Sequence, residues 1–323
     1  MQRKIWIDNL RGFCMLAILL DHTEIYYAGN NVIDYNFYVV NALVIFFILS
    51  GYLMYKPSQF NIRHKLYSVF RSLFVPYIVF TSLISIPKAI VHGNNIDFYH
   101  ITIDIITGQA SWFVAALCVA ELIFSSVIWI AKGKNIGILT CGIGGLLISI
   151  YLSTGNQSYF WQLDNALQAL FFLSLGFLYH RYESHFNIIN KRLYICLLLI
   201  LLIGIKIYEY NQHLDLLIWH IHITNYAIFL LDIVVGSLLM IQLFKTIPSI
   251  KWLSWTGSHS IVYYFLCGGV PLTISKILMK IDFNYEGNYF QIIVAFMLVY
   301  LITSIITYII YQYIPFIVGK RHG

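Results

Sequence analysis

Ten apolar stretches, each bounded by charge, Pro or Gly, run through this chain of 323 residues. A helix of about 20 apolar residues spans a hydrocarbon core, and only helices or closed barrels satisfy every backbone group there. Hydropathy places the stretches near 6–28, 36–55, 73–91, 111–131, 135–153, 163–179, 193–210, 224–244, 258–279 and 290–311. With 59% hydrophobic and only 11% charged residues, against roughly 25% charged in a soluble domain, water is not the main solvent. The expected fold is all-α: a polytopic membrane protein of about ten transmembrane helices forming a single domain over 1–323.

Charge sets the expected orientation. Counting loops from a cytoplasmic N-terminus puts Arg3, Lys4, Lys56, Arg63, Lys65, Arg71, Lys132, Lys134, Arg181, Lys191, Arg192, Lys245, Lys251, Lys320 and Arg321 on one side, about three quarters of all Lys and Arg. The loops near 92–107, 154–162 and 211–223 contain none. Both termini are therefore expected in the cytoplasm, and the lipid bilayer expected is the inner, cytoplasmic membrane. Arg3 and Lys4 before an apolar run resemble a signal peptide, but Asp8, Arg11, Asp21 and His22 interrupt the run and no small-residue cleavage site follows. The net charge of +6 is spread over short loops, so no nucleic-acid partner is expected. Cys14, Cys118, Cys141, Cys196 and Cys267 all lie in apolar segments without metal-ligand spacing, so neither disulfides nor a metal site is expected. Small-residue helix faces serve contacts within and between chains alike, and leave the oligomeric state open.

The first span carries ionisable residues that a lipid-facing helix would not tolerate. Arg11 and His22, eleven residues apart, return to within about 20° of one direction and lie roughly 16 Å apart along the axis. Asp8 precedes Arg11 by one turn and projects about 40° from His22. A charge at mid-bilayer costs at least about 3 kcal/mol, so this stripe faces protein or water. Two readings are open. Asp8 and Arg11 form an interfacial ion pair with His22 as a packing residue, or His22, whose proton affinity sits near neutrality, is a general base. Asp21 and Glu24 point about 100° and 200° away from His22 on a regular helix. They orient it only if the helix is distorted, and Glu24 is expected on a solvated face.

The second span ends in Phe46-Phe47-Ile48-Leu49-Ser50-Gly51-Tyr52-Leu53. Small Ser50 and Gly51 permit close backbone approach, so packing is the first expectation for Ser50. Arg63-His64-Lys65 and Arg71, before Pro76 and Tyr77, fix orientation and meet anionic headgroups. Alternatively they bind a phosphate-bearing cofactor from the cytoplasm, with Arg71 as bidentate clamp. Trp112 reads as an interface anchor before Phe113, and mid-helix Glu121 as an interhelix hydrogen-bond partner. Asp164 and Asp232 lie in or beside spans. Trp219, His220 and His222 form an external cluster, but on a helix the two His would point in nearly opposite directions, against a shared metal.

These pieces, in this order, resemble the type-3 membrane acyltransferases, and particularly their fucose 4-O-acetylase-like sugar O-acetyltransferase branch. The matching elements are Arg3 with Asp8-Asn9-Leu10-Arg11-Gly12 and then His22; Phe-Phe-x-x-Ser-Gly-Tyr at 46–52; and Lys65 through Arg71-Ser-Leu-Phe-Val-Pro76-Tyr77. Weaker echoes are Trp112-Phe113 leading to Glu121, Phe171-Phe172-x-x-x-Gly176, and Gly257-Ser-His-Ser260-Ile-Val-Tyr263. The resemblance implies transfer of an acyl group, usually acetyl from cytoplasmic acetyl-CoA, to a hydroxyl of a cell-envelope carbohydrate or lipid-linked glycan acceptor. It implies His22, Asp8 and Arg11 as catalytic residues, with His22 a general base or a covalent acyl relay. It implies Arg11, Ser50, Lys65 and Arg71 as the residues holding acetyl-CoA. Where relatives often place His after the Ser-x-x-x-Tyr motif, this chain has Cys267, which bears on acceptor specificity. Intramembrane Asp, Arg and His would also suit a glycan or solute exporter. No pair of Gly/Pro-broken helices sits at matching positions in two halves, however, and a scaffold leaves the stripe of the first helix unexplained.

Overall fold

The computed structural model describes residues 4–57, 60–92, 96–155, 157–187 and 191–319. Arg3, Lys320 and Arg321 lie outside the described residues. The chain is a bundle of helices α1 (Ile5–Ala28), α2 (Tyr35–Met54), α3 (Ile62–Val69), α4 (Val75–His92), α5 (Phe98–Thr107), α6 (Trp112–Ile130), α7 (Asn135–Ser153), α8 (Leu163–Arg181), α9 (Lys191–Asn211), α10 (Tyr226–Thr246), α11 (Lys251–Ser258), α12 (Ser260–Leu266), α13 (Val270–Lys280) and α14 (Tyr289–Tyr313). A two-stranded antiparallel hairpin, β1 (Leu216–Leu217) and β2 (His222–Ile223), is the only sheet among the described residues.

Every expected span coincides with a helix, yet the helices are not alike. Among the described residues seven spans are long and apolar enough to cross a membrane, two of them joining neighbouring helices (Ile62–Pro87 and Phe98–Ile130), or eight if α12 and α13, bent by 50°, count as one broken span. Gly268 and Gly269 sit at that break and Pro271 in the first turn of α13, residues that weaken a helix interior but tolerate a helix start. The expectation of ten also counted α1 and α8, which are not among the seven. Both are instead largely enclosed by other helices, and an enclosed helix keeps polar residues that lipid would reject.

Layering follows from the side chains. α2 is buried along most of its length, whereas α7, α9 and α14 expose rows of large apolar residues such as Leu147, Ile200 and Leu301, the surface that lipid covers. The central contacts of α1 are with α2 and α11, and those of α8 with α2 and α7. Glycines set these approaches. A Cβ on Gly12 would overlap the carbonyl of Leu253, and one on Gly257 the carbonyl of Asp8, so α1 and α11 touch backbone to backbone. Gly51 and Gly176 do the same for α2 and α8, against Leu173 and Ile48. The glycines of four motif segments are thus the fasteners of the bundle.

One expectation is corrected here. Residues 92–107 include a helix, α5, capped by Asp97, whose carboxylate accepts from the N–H groups of Tyr99 and His100. Trp219, His220 and His222, expected in an external loop, lie in and beside the β1–β2 hairpin. Between α3 and α4 the chain makes one π-helical turn, Phe70–Phe74. Pro76 offers no N–H to the preceding turn and its ring crowds the carbonyl four residues back, a local cause for the widened turn.

Candidate active site

Helix α1 is regular from Ile5 to Ala28 and stops where Gly29 turns into the left-handed region. Its regularity makes the helical projection of the sequence hold, with Asp8, Arg11 and His22 along one side. Asp8 is buried, and Arg11 and His22 are half-buried. Arg11 lies within electrostatic reach of two carboxylates, Asp8 on its own helix and Glu121 on α6.

Glu121 is the hub that gathers the rest. One of its carboxylate oxygens accepts a hydrogen bond from Ser50 Oγ. The other accepts from Lys65 Nζ at 2.7 Å. Four segments therefore converge on one buried carboxylate: Arg11 from α1, Ser50 from α2, Lys65 from α3 and Glu121 itself from α6. Three of the four residues expected to hold the donor lie in this cluster. The fourth, Arg71, sits in the π-helical turn, which packs against α6 and the chain end. Gly319 folds onto the Arg71 carbonyl so closely that a Cβ there would clash. Among the described residues the Arg71 side chain has no hydrogen-bond or ion-pair partner.

Further along α1 the surroundings become aromatic. The His22 ring stacks with Tyr26, centroids 6.3 Å apart and planes 16° from parallel. Cys267 lies within electrostatic reach of both Tyr26 and Tyr264. Ser111 Oγ donates to the Tyr264 hydroxyl at 3.4 Å, and the Tyr264 ring packs 5.2 Å from Phe113. Cys267 thus belongs to the neighbourhood of His22. Trp112, read as an interface anchor, stacks on Trp219 of the hairpin loop at 6.2 Å.

Glu24 is not on a solvated face. It is fully buried; Oε2 accepts from the backbone N–H groups of Val32 and Ile33 at 2.8 and 3.0 Å, and Oε1 accepts from the Tyr289 hydroxyl at 2.7 Å. Its task is to fasten the α1–α2 loop to α14. Asp21 accepts a hydrogen bond from Asn31 in the same loop. These two carboxylates tie down the loop that follows α1.

At the end of the bundle that holds the start of α1, hereafter the basic end, a second network closes the helices together. The Tyr52 hydroxyl donates to Glu183 at 2.7 Å, and Lys245 pairs with the other Glu183 oxygen at 2.6 Å. Lys4 lies 3.7 Å from Glu183, and the His180 ring stacks on Tyr52 at 3.9 Å. Burial raises the Glu183 proton affinity, but the hydrogen bonds and positive charge from Lys245, Tyr52 and Lys4 outweigh it and hold the carboxyl below its ordinary range. In the Ser-Gly-Tyr motif, then, Ser50 reaches the Glu121 cluster, Gly51 seats α8, and Tyr52 ties the ends of α2 and α8 together.

Sequence reasoning placed Glu121 as an interhelix partner but not as a hub, because its partners come from three other segments. A mid-span carboxylate was the one available signal. The same signal marked Asp232 without revealing Lys206 and Glu209 beside it. Among the described residues no group of three His, Cys, Asp or Glu side chains could hold a metal ion.

A bundle of apolar helices enclosing an ionisable first helix defines a multi-pass membrane protein with a buried polar site. Residues 4–312 match the family model of an acyltransferase domain, and the chain belongs to the type-3 acyltransferase family. No curated protein and no solved structure matches it. The chain is accordingly a membrane acyltransferase.

Proposed function

We propose that the protein is an O-acetyltransferase of the cytoplasmic membrane, moving acetyl from acetyl-CoA to a hydroxyl of a cell-envelope glycan or its lipid-linked precursor. The observation that supports this reading is the unbroken α1, which carries Arg11 in a charged cluster and His22 in an aromatic one roughly 16 Å further on. One helix thereby serves a donor from one side and an acceptor from the other. The basic end faces the cytoplasm in this reading, in keeping with the distribution of Lys and Arg.

Two arginines suit a donor rich in phosphate. Arg71 offers a guanidinium with no partner among the described residues, a fork suited to bidentate phosphate contact. Arg11 carries five N–H donors, more than two carboxylates within reach consume in most geometries. Ser50 and Lys65 are held in place by Glu121. In the chemical step His22 takes the proton of the attacking sugar hydroxyl as its oxygen adds to the thioester carbonyl. Collapse of the tetrahedral intermediate breaks the C–S bond, and the departing CoA sulfur recovers the proton from His22.

Mass spectrometry of envelope polysaccharide tests the reading. A deletion strain is expected to lose an acetyl mass from its glycan, wild-type protein to restore it, and His22→Ala to leave it lost although the protein is inserted and abundant. Full acetylation in the His22→Ala strain contradicts the mechanism.

A further inference from the structure

The end of the bundle away from the start of α1 holds a second buried ionic cluster that the acyl-transfer reading does not use. Lys206 on α9 is buried, and its ammonium reaches three acceptors: the Asn36 carbonyl at 2.6 Å, Glu209 Oε2 at 3.0 Å and Asp232 Oδ2 at 2.9 Å. An ammonium has three N–H donors, so Lys206 has none left. Asn41 Nδ2 also donates to Asp232 Oδ2, at 2.9 Å. One cation thus faces two carboxylates.

A cavity lies beside this cluster. A pocket of about 200 Å³ is lined by Asp34, Asn36, Lys206, Glu209 and Asp215, with Phe37 and Tyr210 among its apolar walls. Glu209 is only 3% exposed, yet its Oε1 has no hydrogen-bond partner among the described residues, and neither has Asn36 Oδ1. A buried oxygen left without a donor costs about 1–3 kcal/mol, more when charged. Asp215 at the rim is largely exposed and faces His222 Nε2 at 3.6 Å. The pocket is therefore lined by acidic side chains next to unpartnered buried oxygens, with the Phe37 and Tyr210 rings 6.1 Å apart beside them.

We propose that this pocket binds a primary ammonium group, carried by an amino sugar or by a short polyamine. An ammonium supplies the donors that Glu209 Oε1 and Asn36 Oδ1 lack, makes charge-assisted hydrogen bonds to Glu209, and lies well against aromatic faces. A neutral sugar would satisfy the acceptors but leave the surplus charge. The site is separate from the Glu121 cluster, and its occupancy stands or falls independently of acetyl transfer.

Binding is measured by isothermal titration of the full-length protein in nanodiscs with glucosamine, N-acetylglucosamine and spermidine, for wild type, Glu209→Gln and Asp215→Asn. Glucosamine, spermidine or both are expected to bind saturably while N-acetylglucosamine does not, and each variant to weaken binding at least tenfold. Tighter glucosamine assigns the site to an amino sugar, and tighter spermidine to a polyamine; either supports the proposal. Asp215 holds its loop through backbone bonds to Thr224, so Asp215→Asn decides the matter if Glu209→Gln fails to fold. No saturable amine binding, equal binding of N-acetylglucosamine, or undiminished binding in the folded variants overturns it.

Discussion

The Glu121 and Lys206 clusters are both buried ion groups built from three or more helical segments, but they differ in completeness. Around Glu121 both carboxylate oxygens are engaged, by Ser50 and Lys65, and Arg11 stands between Asp8 and Glu121. Around Lys206 one cation serves two carboxylates, and an oxygen of each, Glu209 Oε1 and Asp232 Oδ1, has no partner among the described residues. A satisfied network fixes geometry, whereas a half-satisfied one is costly unless something else completes it. The first cluster locks its segments together, and the second keeps acceptors to spare.

Substitutions sharpen this contrast, and the largest effect is expected where the first cluster is seated. Gly257→Ala puts a methyl into the Asp8 carbonyl and must separate α1 from α11. Expression with size-exclusion chromatography should show little folded protein, and a monodisperse variant of wild-type thermal stability would break the account of α1. Next comes Glu121→Ala, which leaves Lys65 and Arg11 facing each other without their shared carboxylate. Removing one partner of a buried pair costs about 3 kcal/mol or more, so thermal unfolding in nanodiscs should drop by several degrees. Glu209→Gln, by contrast, keeps an acceptor for Lys206 and removes the surplus charge. Its unfolding should shift by less than about 1 kcal/mol, and a loss as large as that of Glu121→Ala would erase the distinction between the clusters.

The smallest effect concerns acid. The Glu183 carboxyl is held below its ordinary range by Lys245, Tyr52 and Lys4, so it binds a proton more readily in the unfolded chain. Its contribution is present above the unfolded value and is lost as pH falls through the lower, folded one. Glu183→Gln should flatten the acid side of the stability profile and leave the neutral side with a small constant loss. Identical acid limbs in variant and wild type would remove Glu183 from the basic-end network.

Much of this was legible in the sequence, and the reasons differ by element. The α1 stripe was readable because a regular helix converts spacing into direction, and the structure keeps α1 regular. Gly12, Gly51, Gly176 and Gly257 were legible as motif members, but their work as paired fasteners needs two backbones in contact. Glu24 misled, because proximity to a helix end was taken as exposure, while the loop that follows folds back to donate two N–H groups to it. Helix α5 was hidden in a segment read as a loop because it lies between two hydropathy spans. The Lys206–Asp232 pair joins α9 to α10, and no local pattern signals which two spans will be neighbours.

The central claim is that α1 carries the chemistry at His22. Purified protein in nanodiscs, supplied with radiolabelled acetyl-CoA and glycan extracted from a deletion strain, measures it directly. Wild type should label the glycan, and His22→Ala, with unchanged thermal unfolding, should label it at least about 100-fold more slowly, the lower range for losing a general base. Labelling by His22→Ala at the wild-type rate would contradict the account.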